Sequence, residues 1–217
     1  ANSFKRAGYK FVGWNTKADG SGKAYKNKAK VKNLVKANKT VKLHAQWRKS
    51  TMRELNVGTA YKKFDITGDG VADKIVVKGT VPESADAGPG YYRSLKVFVN
   101  GKKMLTTQDS GFSFGVYPQV KLVNLASGVP LLYVHYSTSN GYYVGGWLYR
   151  CSAKAMKKIF DTTTITSAYA KQYSGAYRVY EAFDSVSLND LTFKAGSYTT
   201  SPVTYIYRYK GGKLVAK

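Results

Sequence analysis

The stretch Phe64-Asp65-Ile66-Thr67-Gly68-Asp69-Gly70-Val71-Ala72-Asp73-Lys74-Ile75-Val76-Val77 decides how the rest of the chain folds. Asp65, Asp69 and Asp73 stand within nine residues, yet the 217-residue chain holds only 12 Asp and Glu against 35 Lys and Arg. A quarter of its carboxylates thus crowd one short loop, where they repel one another unless a cation neutralises them. Asp65, Thr67, Asp69 and Asp73 offer side-chain oxygens at the first, third, fifth and ninth places, and the Val71 carbonyl fills the seventh. Gly68 and Gly70 allow the positive-φ turns that fold these oxygens inward. This is the spacing of a calcium loop built from hard oxygen ligands. An Asp- and Gly-rich turn without metal is the competing reading. Val76 stands where an EF-hand has its twelfth-place glutamate, and Ile75-Val76-Val77 is an apolar run suited to a strand.

Working outward, the loop resembles the D-x-D-G-D-G-x-x-D calcium loops of extracellular FG-GAP-type β-blades. The resemblance implies a strand on either side and a structural Ca2+. Downstream, Leu95, Val97 and Val99 alternate up to Asn100-Gly101, a strong hairpin signal, and Lys103 to Thr107 returns. A second unit runs through Val120–Leu125, Leu131–Tyr136, Tyr142–Arg150 and Lys154–Phe160. Its turn, Asn124 to Gly128, carries no carboxylate, so no metal is expected there. A third runs through Tyr177–Phe183, Leu188–Lys194, Val203–Lys210 and Lys213–Ala216, with Tyr205, Tyr207 and Tyr209 on one strand face. The expected architecture over residues 61–217 is therefore a mainly β, propeller-like or open β-sheet domain. Its repeated antiparallel units span about 61–117, 118–161 and 177–217. Three units are too few to close a propeller.

Residues 2–47 carry a second pattern. Gly8-Tyr9-Lys10-Phe11-Val12-Gly13-Trp14 is followed by Asn15-Thr16-Lys17-Ala18-Asp19-Gly20-Ser21-Gly22 and closes in Leu43-His44-Ala45-Gln46-Trp47. All three parts resemble the Listeria–Bacteroides repeat, the B-repeat of internalin-like surface proteins. The resemblance implies a small β-grasp-like spacer module over residues 1–49. The family opens with a further strand pair that this chain lacks. Either residues before Ala1 were removed or the copy is incomplete, and the chain reads as a piece of a longer protein. Alternation places Tyr9 and Phe11 on one face, and Trp14 and Trp47 are expected in a shared core. Val31 to Lys36 reads as one helical turn. Residues 50–60 are polar without a clear period and read as a linker.

Residues 1–50 hold 14 Lys or Arg against one Asp, and residues 51–217 hold 21 against 11. This balance suits a solvated lysine-rich surface or anionic surroundings such as acidic glycans and wall polymers. Without an arginine cluster or reader motif, it does not point to specific nucleic-acid recognition. Cys151 is the only cysteine and reads as a buried small residue. No apolar run approaches the roughly 20 residues of a membrane span. No hydrolase constellation stands out, and His44 and His135 read as structural. Glu181 and Asp184 are the one carboxylate pair considered for acid–base chemistry. Asn140, Tyr142, Tyr143 and Trp147 set amide and aromatic groups close together, a composition suited to a sugar ring. The expectation is a non-enzymatic, extracellular module of a Gram-positive cell-surface or secreted protein: a spacer repeat plus a calcium-stabilised β-domain. The alternatives are an adhesin domain for glycans or anionic wall polymer, and a fragment of a polysaccharide-acting enzyme.

Overall fold

The computed structural model of the chain describes residues 2–36, 39–82, 90–107, 110, 116–137 and 143–217, with Tyr143 and Val144 described by their backbone alone. The described residues are mainly β. They form four open antiparallel sheets and one helix.

In the N-terminal sheet, β1 (Tyr9–Asn15) lies between β2 (Ala24–Tyr25) and β3 (His44–Lys49). Residues three apart on a strand normally face opposite ways. Here a register shift at Gly13, whose φ is 152°, brings Phe11 and Trp14 together. The Phe11 ring meets Trp14 edge-on at 5.2 Å and Trp47 at 5.4 Å, which is the small core the two tryptophans were expected to share. A Cβ at position 13 would lie 2.8 Å from the Tyr25 carbonyl oxygen, so the bulge needs glycine. Buried Asn15 holds the following turn shut. Its Nδ2 donates to the carbonyls of Gly20 and Gly22 at 2.8 and 3.1 Å, and its Oδ1 accepts from Lys17 N. No helical turn forms over residues 31–36, because Asn33 takes a φ of 53°, outside the right-handed helical region.

Residues 50–60, read as a linker, contain β4 (Thr51–Glu54) and the buried Leu55. All four β4 side chains are exposed. Its strand character comes from backbone pairing with β9, Thr51 opposite Asn124 to Glu54 opposite Lys121, and not from an apolar face.

The first unit is a four-stranded meander, β5 (Ala60–Phe64), β6 (Asp73–Thr80), β7 (Ser94–Val99) and β8 (Lys102–Thr106). The middle unit adds β4 to its own four strands, β9 (Tyr117–Asn124), β10 (Pro130–Ser137), β11 (Tyr143–Cys151) and β12 (Met156–Asp161). The third is again a four-stranded meander, β13 (Tyr180–Ser187), β14 (Asp190–Gly196), β15 (Val203–Lys210) and β16 (Lys213–Ala216). Helix α1 (Thr163–Gln172) joins the second to the third. Its threonine-rich sequence has low helix propensity. The helix is held by Ile165 and Tyr169, four residues apart and both fully buried.

The middle sheet is covered on both faces. Pro130 to Tyr136 of β10 are buried without interruption. Leu132, Val134 and Tyr136 pack with Ile75, Val77, Leu95 and Val97 of the first unit. Leu131 and Tyr133 point the other way and pack with Phe183, Leu191, Phe193 and Tyr207 of the third. Strand alternation thus feeds two cores from one strand. Each buried Leu or Val side chain contributes about 1.5–3 kcal/mol. A buried Ser50 ties the layers at one end. Its hydroxyl donates to Leu188 O at the β13–β14 tip and accepts from Ala126 N after β9.

Candidate metal loop and its cleft

The aspartate loop joins β5 to β6, and its glycines take the expected positive φ, 80° at Gly68 and 91° at Gly70. Asp65 is its hub. One carboxylate oxygen accepts from the N–H groups of Gly68 at 2.5 Å and Asp69 at 3.2 Å and from the Thr67 hydroxyl at 3.4 Å. The other accepts from Gly70 N at 2.8 Å. Asp69 accepts from Val71 N at 2.8 Å. Asp73 is buried. Its Oδ2 accepts from Ile66 N and Thr67 N, both at 3.0 Å, and its Oδ1 from Asn100 Nδ2 at 2.7 Å.

The residue types are those of a hard-cation site, but the carboxylates are already answered by donors. An ionised carboxylate offers about four acceptor directions. Asp65 gives one oxygen to three loop donors and the other to Gly70 N alone, so that second oxygen keeps an open direction; Asp73 spends three directions and Asp69 one. Among the described residues, no group of three or more His, Cys, Asp and Glu side chains converges as a metal-binding set. Of the three carboxylates, Asp69 is therefore the most available, followed by Asp65 through the oxygen that accepts only from Gly70 N.

The loop opens onto a cleft of about 540 Å3. Asp65 and Asp69 meet Arg48 and Lys49 at the end of the N-terminal sheet, Lys63 of β5, and the Asn124–Gly128 turn of the middle sheet. Charges of both signs thus line the place where three sheets come together. A Cβ at Gly128 would collide with the Arg48 guanidinium, so glycine lets the arginine lie across that turn.

Asn140 and Tyr142, two of the residues read as sugar contacts, lie outside the described residues, and Tyr143 is placed as the first residue of β11. Trp147 does not face solvent. It is 8 % exposed, donates its indole N–H to Asp161 at 3.1 Å and packs edge-on against Tyr136 at 5.5 Å. Alternation along β11 turns it into the core shared with the first unit, which removes it as a ligand platform.

Glu181 and Asp184 do not form a pair. Asp184 is ion-paired with Lys194 at 2.9 Å near the surface. Glu181 is buried, and its carboxylate accepts from the Tyr133 hydroxyl at 3.1 and 3.2 Å. Burial pushes the Glu181 carboxyl up to about 7, against the opposing pull of hydrogen bonds from Thr162 and Tyr133 and the charge of Lys121. His135 lies in the same layer, and burial together with the Lys121 charge holds it down at about 4. Gly146 makes room for this polar knot. A Cβ there would fall against the Thr162 hydroxyl, 3.1 Å from Glu181 Oε2 and 3.5 Å from His135 Cδ2. Sequence reasoning missed this cluster. Its one signal is Gly145-Gly146 in the middle of an otherwise aromatic strand. Cys151 is buried and its thiol is pushed up to about 12, which leaves no thiolate for chemistry near neutral pH.

Compared with known proteins, the chain matches no family model, no curated protein and no solved structure.

Proposed function

We propose that the chain is a non-enzymatic module of an extracellular bacterial protein, cell-surface or secreted. Its N-terminal part is a β-grasp-like spacer of the Listeria–Bacteroides type. The three following sheets are blade-like units of FG-GAP character, steadied by one Ca2+ in the loop from Asp65 to Asp73. The supporting observation is the place of that loop, at the meeting of the N-terminal sheet, the first unit and the middle turn. Neutralising Asp65 and Asp69 there removes repulsion at a junction that connects separate layers. The Thr67 oxygen, the Val71 carbonyl and Asp73 are the remaining expected donors. Because Asp65 and Asp73 already accept several loop donors, the expected affinity is that of extracellular modules, about 10⁻⁴ to 10⁻³ M.

A thermal melt in EGTA and in a calcium series tests this. Saturation at about a hundred times the dissociation constant adds about 2.7 kcal/mol of stability. Asp69→Asn should abolish the response while leaving the melt in EGTA nearly unchanged. A melting temperature that ignores calcium up to about tenfold above the expected dissociation constant rejects the calcium reading.

A further inference from the structure

The N-terminal module carries more than a spacer needs. All 14 Lys and Arg side chains of residues 1–50 are exposed. Among the described residues none of them is in an ion pair with another described residue, and the ion pairs between described residues lie at Lys158–Asp161, Lys194–Asp184 and the Asp190 cluster with Arg208 and Lys217. The one carboxylate of the module, Asp19, is turned onto Ser21, whose N–H and hydroxyl donate to it at 2.9 and 2.8 Å. Folding therefore turns the module's charge outward, with Arg48 and Lys49 sharing the cleft of Asp65 and Asp69.

We propose that residues 1–50 dock a flexible, linear polyanion through charge alone. Two observations select a flexible chain held by charge. First, the cations are spread over several elements. Lys10 stands on β1, Arg48 and Lys49 on β3, and a run at Lys26, Lys28, Lys30 and Lys32 follows β2. A flat bilayer engages one side of such a module, whereas a flexible chain can follow charge around it. Second, 12 of the 14 are lysines, which act as point charges and lack the planar fork that selects one anion geometry. This docking role goes beyond the spacer reading and makes no use of calcium.

The test is binding of inorganic polyphosphate to the full chain across a salt series, in EGTA throughout, so that a failed calcium response and failed docking are read separately. The combined variant Lys26→Gln, Lys28→Gln, Lys30→Gln and Lys32→Gln should lower the slope of log affinity against log salt by roughly three. A variant with the same loss of charge elsewhere, Lys102→Gln, Lys103→Gln, Lys154→Gln and Lys157→Gln, should keep the parent slope. All eight positions are exposed, so unchanged melting of both variants confirms that the fold is intact. Equal loss of slope in both variants overturns the proposal, because binding then reports net charge and not this module. Tighter binding to phosphatidylglycerol vesicles or duplex DNA than to polyphosphate, at matched phosphate concentration, overturns it as well.

Discussion

Replacing Glu181 by Gln should change how stability depends on pH. The substitution keeps the shape of the side chain and an acceptor for Tyr133, and removes the charge. In the folded chain the Glu181 carboxyl lies at about 7, against 4.5 when unburied. The folded state therefore holds this proton more tightly than the unfolded state. The stability from that preference is complete below about pH 4.5 and is lost as pH rises through 7. The gap is worth roughly 3 kcal/mol once the pH is well above 7, and less than about 1 kcal/mol of it is gone at pH 5. The stability difference between variant and parent should thus grow by roughly 2–3 kcal/mol in favour of the variant between pH 5 and pH 8. His135 acts in the opposite sense. Its folded value is lowered to about 4, so it removes stability as pH falls from 6.5 towards 4. It is present in both proteins and drops out of the difference. Urea unfolding followed by tryptophan fluorescence at pH 5, 6, 7 and 8 measures the difference directly. Parent and variant losing stability in parallel across that range would refute the buried, proton-holding Glu181.

Other substitutions probe the layers themselves. Leu132→Ala empties a fully buried position in the core between the first and middle sheets and should cost about 2–5 kcal/mol by chemical denaturation. Met52→Ala on the exposed face of β4 should change stability by less than about 0.5 kcal/mol in the same assay. Ser50→Ala removes the hydroxyl between Leu188 O and Ala126 N, while Ala126 N keeps its bond to Leu188 O at 3.0 Å. A loss of about 1 kcal/mol is expected, visible as earlier amide exchange at Ala126 than in the parent. Cys151 should resist iodoacetamide at pH 8 in the native protein and react promptly in denaturant; native-state labelling at the rate of a free thiol contradicts its burial.

The strands were legible because two simple rules governed them. Leu95, Val97 and Val99 alternate and form β7, and Asn100-Gly101 is the β7–β8 turn, with Asn100 at a φ of 51°. The Asp65–Asp73 turn was legible from its glycines. β4 was not, because its side chains are all exposed and a strand defined by backbone pairing leaves no period in sequence. Helix α1 was hidden for a related reason, since its threonines disfavour the helix and two buried side chains override them.

The candidate site divides along the same line. Residue types and spacing nominate the five oxygen donors, but how the carboxylates are spent depends on which amides reach them. Asn100 lies 27 residues from Asp73, and only the folded first unit brings its side-chain amide to that carboxylate. Trp147 was read as a surface aromatic, and the sheet stacked against its face makes it core. Glu181, scattered among carboxylates in the chain, acquires its environment from Tyr133, Thr162 and Lys121 of other elements.

Local chemistry by itself determined where the apolar strands run, where the chain turns at Gly68, Gly70 and Asn100-Gly101, and that the first fifty residues are cationic. These follow from each residue and its near neighbours. The stacking of the third sheet on the second, the burial of Glu181 and the convergence of three sheets on the aspartate loop were decided only in three dimensions. Each depends on surfaces that meet across long separations, and one strand's alternation says which side a residue faces but not what will cover it.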